Sequence, residues 1–516
     1  MPVAVSSPRV GFSNRVAPGR LPRICVSIQA ATIAELLAQA ERAAREVSFI
    51  ELRLDAVKLL STLQAPLREF LRSLPQTLVI ATCRKQAYGG GFKGSAEAEW
   101  GVLRHAALAG CVAIDIELQS AERLAAAALQ EIRQHTKLIV SYHDFKTTPA
   151  LGPLWKRLQD IPADIYKLVT TASTWRQNVE MLRFVEAHNS EHPLVGFCMG
   201  DMGLLSRVLS LRAGAAFTFA ALDAEAATAP GQPTLQQLQF YRAEELSRAT
   251  AVYGILGYPL EHSLSPRMHA AAYRRLGMNA IYLPLLSRKP GEVLDLAGEV
   301  PLQGLSITHP FKSAMLEHLE RVDPLGTAVG AVNTVVRSQG KFYGYNTDVA
   351  GIVEPLSQAL PLRGARILVV GAGGAARAAV FGLRSQGAQV FIFNRTRARG
   401  VALAKAAKAK PVSRGELKTM NFQAIVHATP VGQYPNEGES LLAREEIRAA
   451  VVFDLVYNPR ETELLRRAQA AGAQTISGVE MLVIQGARQF ELWTGKPAPV
   501  DAMRGEVLAA LAARDQ

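Results

Sequence analysis

The chain has 516 residues, of which 49% are hydrophobic and 20% are charged, and its formal net charge is +12. This length exceeds what one hydrophobic core supports and predicts two or three compact units. No apolar run reaches the roughly 18 residues of a membrane helix, and the basic residues are spread along the chain without a nucleic-acid-binding motif. We therefore expect neither a membrane nor a nucleic-acid partner.

The four cysteines, Cys25, Cys83, Cys111 and Cys198, lie in apolar segments without metal-site spacing. We expect them to be reduced core residues, as in a cytoplasmic protein, and we expect no bound metal. Residues 1–20 lack the apolar core of a secretory signal and are predicted to form a loose tail.

Short runs rich in β-branched residues alternate with helix-forming stretches in the first half. The runs are residues 23–29, 47–54, 77–83, 111–117, 136–142, 163–169, 193–199 and 215–220. Eight such alternations within roughly 225 residues predict a closed (β/α)8 barrel over residues 21–247. An open doubly wound sheet is the alternative.

Polar side chains collect near the carboxyl ends of these runs, which converge on one mouth in a barrel. They are Glu51, Arg53, Arg84, His143, Lys167 and, after a loop, Arg207. Burial and a neighbouring arginine would both lower the pKa of Lys167 and favour the neutral amine that attacks a carbonyl. The alternative is a lysine paired with Glu51 inside the barrel. His143, one run earlier, could transfer protons to a substrate held as an imine.

Six segments occur in a specific order between residues 51 and 232: ELRLD, TCRKQAYGGG, SYHDF, DIYKLV, CMGDMGLLSR and APGQ. In this the first half resembles the type I 3-dehydroquinate dehydratases. The resemblance implies that Lys167 forms an imine with the 3-keto group of 3-dehydroquinate, while His143 takes the C2 proton and helps to expel the C1 hydroxyl as water. It also implies that Glu51, Arg53, Arg84, Arg207 and Gln232 position the substrate. An arginine suits a carboxylate because its planar fork donates two parallel hydrogen bonds, and we expect Arg207 to do this.

One position departs from that family. Tyr88 precedes Gly89 and Gly90, where the family usually has a glutamate. A phenol supplies no fixed negative charge at neutral pH. If the missing carboxylate tunes His143, we expect activity with a shifted pH profile.

In the second half, residues 365–383 join a β-rich run to an alanine-rich helix through a glycine turn. The turn contains Gly371, Ala372, Gly373, Gly374 and Ala375. Such a turn brings backbone N–H groups and a helix N-terminus to a pyrophosphate. Asn394 stands where an NAD-binding protein commonly has an acidic residue, and the following Arg395, Thr396 and Arg397 suit a 2′-phosphate. The sequence therefore predicts NADP(H).

The remaining motifs resemble the shikimate dehydrogenases over nearly all of residues 252–505. They are GYPLEHSLSPRMH, SITHPFKS, AVNTV, GYNTDVAG, HATPVGQYP, FDLVYNPRET and GVEMLVIQGARQFELWTG. The resemblance implies a substrate-binding domain over 250–350, completed by helices in 480–516, and a Rossmann NADP-binding domain over 351–479. It implies these site residues: Lys312 and Asp348 as the catalytic pair, Ser263 and Ser265 on the carboxylate, Thr308, Asn333 and Gln485 as further ligands, and Thr429 beside the cofactor.

Reduction of a ketone requires a proton donor, which a lysine held by a carboxylate can supply, although a surface ion pair is the alternative for Lys312 and Asp348. Together the two halves predict an enzyme that converts 3-dehydroquinate to 3-dehydroshikimate and then, with NADPH, to shikimate. A second half that prefers quinate, or a metabolite-sensing regulator without turnover, is the alternative. The presence of all four catalytic residues favours an enzyme. The sequence does not indicate an oligomeric state.

Overall fold

The computed structural model describes residues 21–58, 62–260, 263–287 and 289–514. The predicted tail, residues 1–20, lies outside the described residues. The chain divides into two compact units, with the boundary between Arg248 and Ala249. The four cysteines are buried free thiols, as predicted.

A single sheet of eight parallel strands forms the centre of the first unit. The strands are Ile24–Gln29 (β1), Phe49–Arg53 (β2), Leu78–Thr82 (β3), Ala113–Glu117 (β4), Lys137–His143 (β5), Ile165–Thr171 (β6), Leu194–Met199 (β7) and Thr218–Ala221 (β8). Each strand pairs with its neighbour in the chain up to β7, and β1 pairs with β8. A backbone hydrogen bond of 2.8 Å from Ala216 to Leu194 spans the remaining gap. The predicted barrel is confirmed, and the open sheet is excluded.

Helices connect the barrel strands. They are Ile33–Ala44 (α1), Gln64–Ser73 (α2), Ala96–Ala109 (α3), Leu118–Ala121 (α4), Ala126–Ile132 (α5), Leu151–Gln159 (α6), Trp175–His188 (α7), Leu204–Ala213 (α8) and Leu235–Phe240 (α9). Local signals begin several of them; Thr174, for example, starts α7 with a capping box in which Gln177 is the reciprocal partner.

Strand alternation places the polar side chains above an apolar floor. Phe49, Ala113, Ile139 and Ile165 belong to one buried cluster at the amino ends of their strands. Because every second residue of a strand points to the same face, the positions two and four residues later also face the interior. Polar residues at those positions therefore gather at the carboxyl end of the barrel.

The second unit contains two six-stranded sheets. The first consists of Ala251–Gly257 (β9), Ala280–Leu286 (β10), Leu302–Ile307 (β11), Arg321–Val322 (β12), Thr334–Ser338 (β13) and Lys341–Tyr345 (β14). The second consists of Arg366–Val370 (β15), Gln389–Phe393 (β16), Lys410–Pro411 (β17), Phe422–His427 (β18), Ala449–Asp454 (β19) and Gln474–Ile476 (β20). The first sheet is mixed, with order β10-β9-β11-β13-β14-β12. The second is parallel, with order β17-β16-β15-β18-β19-β20, which is the doubly wound arrangement predicted for nucleotide binding.

The helices of this unit cover both sheets. They are Ser265–Arg275 (α10), Pro290–Leu296 (α11), Pro324–Val329 (α12), Asp348–Ala359 (α13), Gly374–Ser385 (α14), Arg397–Ala406 (α15), Arg414–Leu417 (α16), Glu463–Ala470 (α17), Gly478–Thr494 (α18) and Val500–Ala512 (α19). Phe490 of α18 and Val507 of α19 share a buried cluster with Tyr253 of β9, so the last two helices complete the core of the mixed sheet. Within the described parts of the chain, no helix is both long and apolar enough to cross a membrane.

Candidate active sites

A cavity of about 40 Å³ lies at the carboxyl ends of the barrel strands. All seven site residues expected in the first half line it: Glu51, Arg53, Arg84, His143, Lys167, Arg207 and Gln232. The barrel therefore brings together residues that are up to 181 positions apart, between Glu51 and Gln232.

The Lys167 ammonium lies between buried carboxylates. Its Nζ donates to Asp115 Oδ2 at 2.8 Å, is 3.7 Å from Glu51 Oε1, and lies 4.0 Å from the centre of the Phe219 ring. Arg84 is 3.4 Å from the same Asp115 carboxylate. The expected neighbouring arginine and the alternative pairing with Glu51 are thus both present. Although burial opposes it, Lys167 and Arg84 hold the pKa of Asp115 below its usual range, so Asp115 stays ionised.

His143 is held by Glu117 through two contacts. The His143 backbone N–H donates to Glu117 Oε1 at 2.7 Å, and His143 Nδ1 lies 2.9 Å from Glu117 Oε2. Burial, reinforced by Arg84 and Lys167, lowers the pKa of His143 well below its ordinary value. Burial also raises the pKa of Glu117 to about 7. The imidazole is therefore neutral at pH 7 and available as a base.

The three arginines of the cavity differ in their partners. Arg53 makes a bidentate pair with Asp55, at 2.9 and 2.8 Å, and Arg84 contacts Glu117 at 3.2 Å. Arg207 donates to the Pro230 carbonyl at 3.2 Å and has no carboxylate partner among the described residues. Its buried Nε has no hydrogen-bond partner there either. Arg207 is thus the guanidinium with unused donors.

Glu51 and Gln232 are joined through Ser27. The Ser27 hydroxyl donates to Glu51 Oε2 at 2.7 Å, and Gln232 Nε2 lies 3.5 Å from Ser27 Oγ. The side-chain amide oxygen of Gln232 accepts a hydrogen bond from the Thr228 backbone N–H at 2.7 Å, which holds the loop after β8 at the cavity. Glu51 also accepts the Thr82 hydroxyl at 2.6 Å. These bonds give both side chains fixed orientations.

A cavity of about 180 Å³ lies beside the mixed sheet of the second unit. All seven expected substrate and catalytic residues line it: Ser263, Ser265, Thr308, Lys312, Asn333, Asp348 and Gln485. Ser265 and Asp348 begin α10 and α13, Thr308 directly follows β11, Asn333 directly precedes β13, and Gln485 lies in the middle of α18.

Asp348 joins two other residues of this cavity. Lys312 Nζ donates to Asp348 Oδ2, and Asn333 Nδ2 donates to Asp348 Oδ1 at 2.7 Å. Asn333 Nδ2 also donates to the side-chain Oε1 of Gln485 at 3.2 Å. The Asp348 side chain is 4% exposed and that of Lys312 is 27% exposed. The pair is therefore part of a cavity wall, and the alternative of a surface ion pair does not hold.

The glycine turn leaves room for a dinucleotide. Gly371 has φ +126°, and a Cβ there would lie 2.7 Å from the Ala428 carbonyl oxygen. A Cβ at Gly373 or Gly374 would meet no atom of the described residues within 4 Å. The turn is thus open where α14 begins, at the amino end that favours a phosphate.

The end of β16 suits a 2′-phosphate. Asn394 Nδ2 donates to the Thr396 carbonyl at 2.8 Å, and Arg395 and Arg397 are exposed. No carboxylate occupies residues 394–397, so the observed residues fit the phosphorylated dinucleotide. No group of His, Cys, Asp and Glu side chains suited to a metal ion is found in the described residues.

Comparisons with known proteins match both halves of the chain. The chain matches family profiles for type I 3-dehydroquinase over residues 24–245 and for the shikimate dehydrogenase substrate binding domain over 255–335. Residues 355–471 match shikimate/quinate 5-dehydrogenase, and residues 478–508 match the shikimate 5′-dehydrogenase C-terminal domain. A chloroplastic bifunctional 3-dehydroquinate dehydratase/shikimate dehydrogenase of Arabidopsis thaliana is 35% identical over 501 residues, covering 92% of this chain and 82% of the relative. The chain belongs to this bifunctional family.

Two further proteins resemble the second half of this bifunctional dehydratase–dehydrogenase. The NADP(+) shikimate dehydrogenase of Methanopyrus kandleri is 43% identical over 280 residues, covering 51% of this chain and 96% of the relative. A solved shikimate 5-dehydrogenase of Thermus thermophilus, in complex with NADP(H) and shikimate, is 37% identical, with a TM-score of 0.47, covering 51% of this chain and 100% of that one. The predicted lyase and NADP-dependent oxidoreductase activities are confirmed.

The surroundings of His143 bear on the departure at Tyr88 in the dehydratase half. Tyr88 ends a short helical turn over Gln86–Tyr88 and does not line the cavity, whereas Glu117 supplies a buried carboxylate to His143. The histidine therefore has a carboxylate partner whatever stands at position 88. The shifted pH profile stays a prediction.

Sequence reasoning missed several residues of both sites. Asp115 and Glu117 alternate in IDIE, and this spacing could have placed both on the inner face of β4. In the dehydrogenase half, Tyr457 and Gln489 line the cavity. Gln489 follows Gln485 by one helical turn in α18, a spacing that puts both on one face.

Proposed function

We propose that the two cavities are the two active sites of this bifunctional enzyme, with Lys167 and Lys312 as their respective key residues. The observation that carries the proposal is that each cavity is lined by every catalytic and substrate-binding residue expected for its own half. Lys167 serves as the nucleophile of the dehydratase, and Lys312 serves as the proton donor of the reductase.

In the barrel, Arg207 receives the carboxylate of 3-dehydroquinate, because it is a buried cation with unused donors. The Lys167 side chain, held at 2.8 Å by the Asp115 carboxylate, attacks the C3 ketone as the neutral amine after its proton has passed to solvent. Loss of water from the adduct gives an imine, which makes the C2 proton more acidic. The neutral His143 takes that proton and returns it to the departing C1 hydroxyl, and hydrolysis of the imine releases 3-dehydroshikimate.

Glu117 orients His143 throughout this cycle. Its Oε2 lies on Nδ1, so Nε2 faces away from the carboxylate as the nitrogen free for proton transfer. Arg53 is fixed by Asp55 and Arg84 by Glu117 and Asp115, so both present a rigid cationic wall. We propose that these two fixed guanidinium groups bind substrate hydroxyls and keep the positive charges around the imine in constant positions.

In the second unit, bound NADPH supplies a hydride to the ketone of 3-dehydroshikimate. Lys312 donates a proton to the oxygen that develops negative charge, and Asp348 keeps the ammonium in position. Ser263 and Ser265 hold the carboxylate at one side of the cavity. Asn333 and Gln485, together with Thr308, receive the hydroxyls of the ring.

We propose shikimate as the product, since the relative that is 43% identical over this half is named a shikimate dehydrogenase. Quinate has a hydroxyl at C1 where shikimate has a ring double bond, and comparing the turnover of the two alcohols decides between them. We also infer a cytoplasmic location, because four buried free thiols suit a reducing compartment.

The test is incubation of the purified chain with 3-dehydroquinate, first without and then with NADPH. We expect enone absorbance without the cofactor, and shikimate together with loss of nicotinamide absorbance when it is added. Borohydride treatment during dehydration should trap the substrate on Lys167, and Lys167→Ala should abolish the adduct. Binding of 3-dehydroquinate without turnover would favour the regulator instead.

A further inference from the structure

A chain of a partly buried hydroxyl, a buried imidazole and a buried carboxylate lies beside the glycine turn and takes no part in the chemistry proposed above. The Thr429 Oγ1 atom is 2.6 Å from His427 Nε2, and His427 Nδ1 is 2.8 Å from Asp454 Oδ1. His427 is 1% exposed, and Asp454 is fully buried. The two residues end the adjacent strands β18 and β19 and are paired in register.

Asp454 sets the direction of the hydrogen bonds in this chain. Its Oδ2 accepts the Thr462 hydroxyl at 2.6 Å and its Oδ1 accepts a backbone N–H at 3.1 Å, so the carboxylate acts as an acceptor. It therefore accepts the Nδ1–H of His427, and in the neutral imidazole Nε2 is then the acceptor. The Thr429 hydroxyl donates to that nitrogen, and its oxygen lies 3.3 Å from the Val431 N–H. Both the Thr429 side chain and the backbone after it are restrained.

The Thr429 segment lies against the turn that would receive the pyrophosphate. A Cβ at Gly371 would be 3.1 Å from Thr429 Cγ2. In the sheet, β16, which is followed by the exposed Arg395 and Arg397, lies on one side of β15, and β18 lies on the other. The adenosine half belongs to the β16 side, so the nicotinamide half extends over β18. Leu455, which follows Asp454, lines the substrate cavity towards which the nicotinamide must point.

We propose that His427, held by Asp454, is a positioning residue of the reductase that fixes Thr429 and the following backbone for the nicotinamide half of NADP(H). The inference deepens the reductase function proposed above and rests on it. A restrained segment binds without first being ordered, so loss of the chain weakens cofactor binding. His427 does not line the substrate cavity, and its Nε2 contacts Thr429, so its effect passes through Thr429.

The test compares NADP+ binding by calorimetry in full-length variants. Thr429→Val removes only the hydroxyl and should raise the Kd about tenfold, the size expected for one lost buried hydrogen bond. Thr429→Ser keeps the hydroxyl and should stay within about twofold of the unmodified chain. His427→Phe should match Thr429→Val, and the double variant should lose no more than either single change, because both break one chain.

Two further readouts separate positioning from general damage. The dehydratase activity of the same molecules should be unchanged, and KM for NADPH should rise by more than kcat falls. The ¹⁵N shifts of the unmodified chain should report an Nδ1–H tautomer for His427, identified by its absence in His427→Phe.

An unchanged Kd in Thr429→Val, additive losses in the double variant or an Nε2–H imidazole would each overturn the inference. If His427→Phe does not fold, the matched pair at Thr429 still decides it. Failure of the unmodified chain to bind NADP+ would overturn the proposed reductase function and the inference with it. Binding by the unmodified chain that Thr429→Val leaves intact would overturn the inference alone.

Discussion

Replacing Arg207 with methionine should stabilise the barrel while weakening substrate binding. The guanidinium is 1% exposed, and burial lowers its pKa to about 9. At neutral pH it is protonated in both the folded and the unfolded states, so the folded state bears a penalty on the order of 4 kcal/mol. Methionine removes that penalty and loses one hydrogen bond to Pro230, worth about 1 kcal/mol, and a contact with the Phe197 ring.

The free energy of unfolding should rise by about 2 kcal/mol, which corresponds to a rise in Tm of roughly 4–8 °C for a domain of this size. KM for 3-dehydroquinate should rise at least about tenfold, because two charge-assisted hydrogen bonds to the carboxylate are lost. The full stabilisation should be present below pH 9. It should shrink above pH 9, because Arg207 of the unmodified folded chain then loses its proton and no longer carries the burial penalty.

The matched control is Arg53→Met. That arginine is paired with Asp55, whose side chain is 2% exposed. The substitution therefore leaves a buried carboxylate without its partner and should lower the free energy of unfolding by about 3–5 kcal/mol. Calorimetry of the full chain at pH 7 measures both variants, with reductase activity as the internal reference. A lower Tm in Arg207→Met, or an unchanged KM, would refute the reasoning.

Lys167→Ala should abolish dehydration and spare reduction of 3-dehydroshikimate, and Lys312→Ala should do the reverse; loss of both activities from one substitution in a folded chain would contradict two separate sites. Glu117→Gln should lower the kcat of dehydration by about 100-fold or more, because the carboxylate that orients His143 is gone, whereas full activity would remove its role. Because burial and the neighbouring cations lower the pKa of His143, the acid limb of dehydratase kcat/KM should lie below the ordinary imidazole pKa of about 6.5, and a limb at or above that value would disagree. Tyr88→Glu should shift this pH profile if the residue at position 88 influences the His143 imidazole. An identical profile would mean that Glu117, and not position 88, influences the imidazole. Both activities should survive a chelator, and restoration of a lost activity by a divalent ion would show a metal requirement.

The fold classes follow from patterns that are local in the chain. Repeated runs such as residues 163–169, each followed by a helix-forming stretch, require parallel strands and helical crossovers, and eight of them close a barrel. The turn at Gly371 is likewise local, because only a glycine tolerates its φ of +126° beside the Ala428 carbonyl. Strand ends were predicted less well: β8 begins at Thr218, three residues after the predicted start.

By itself the sequence determined both folds, both lysines and the residues expected around them, because motif order and residue type are written in the chain. Only the tertiary structure decided which charges meet. Glu117 of β4 contacts His143 of the adjacent strand β5 across 26 positions, and Asp115 of β4 contacts Lys167 of β6 across 52, since the closed barrel brings inward side chains together. The same packing pairs Arg53 with Asp55 and leaves Arg207 without a carboxylate among the described residues, a difference that burial and geometry create and residue type alone does not.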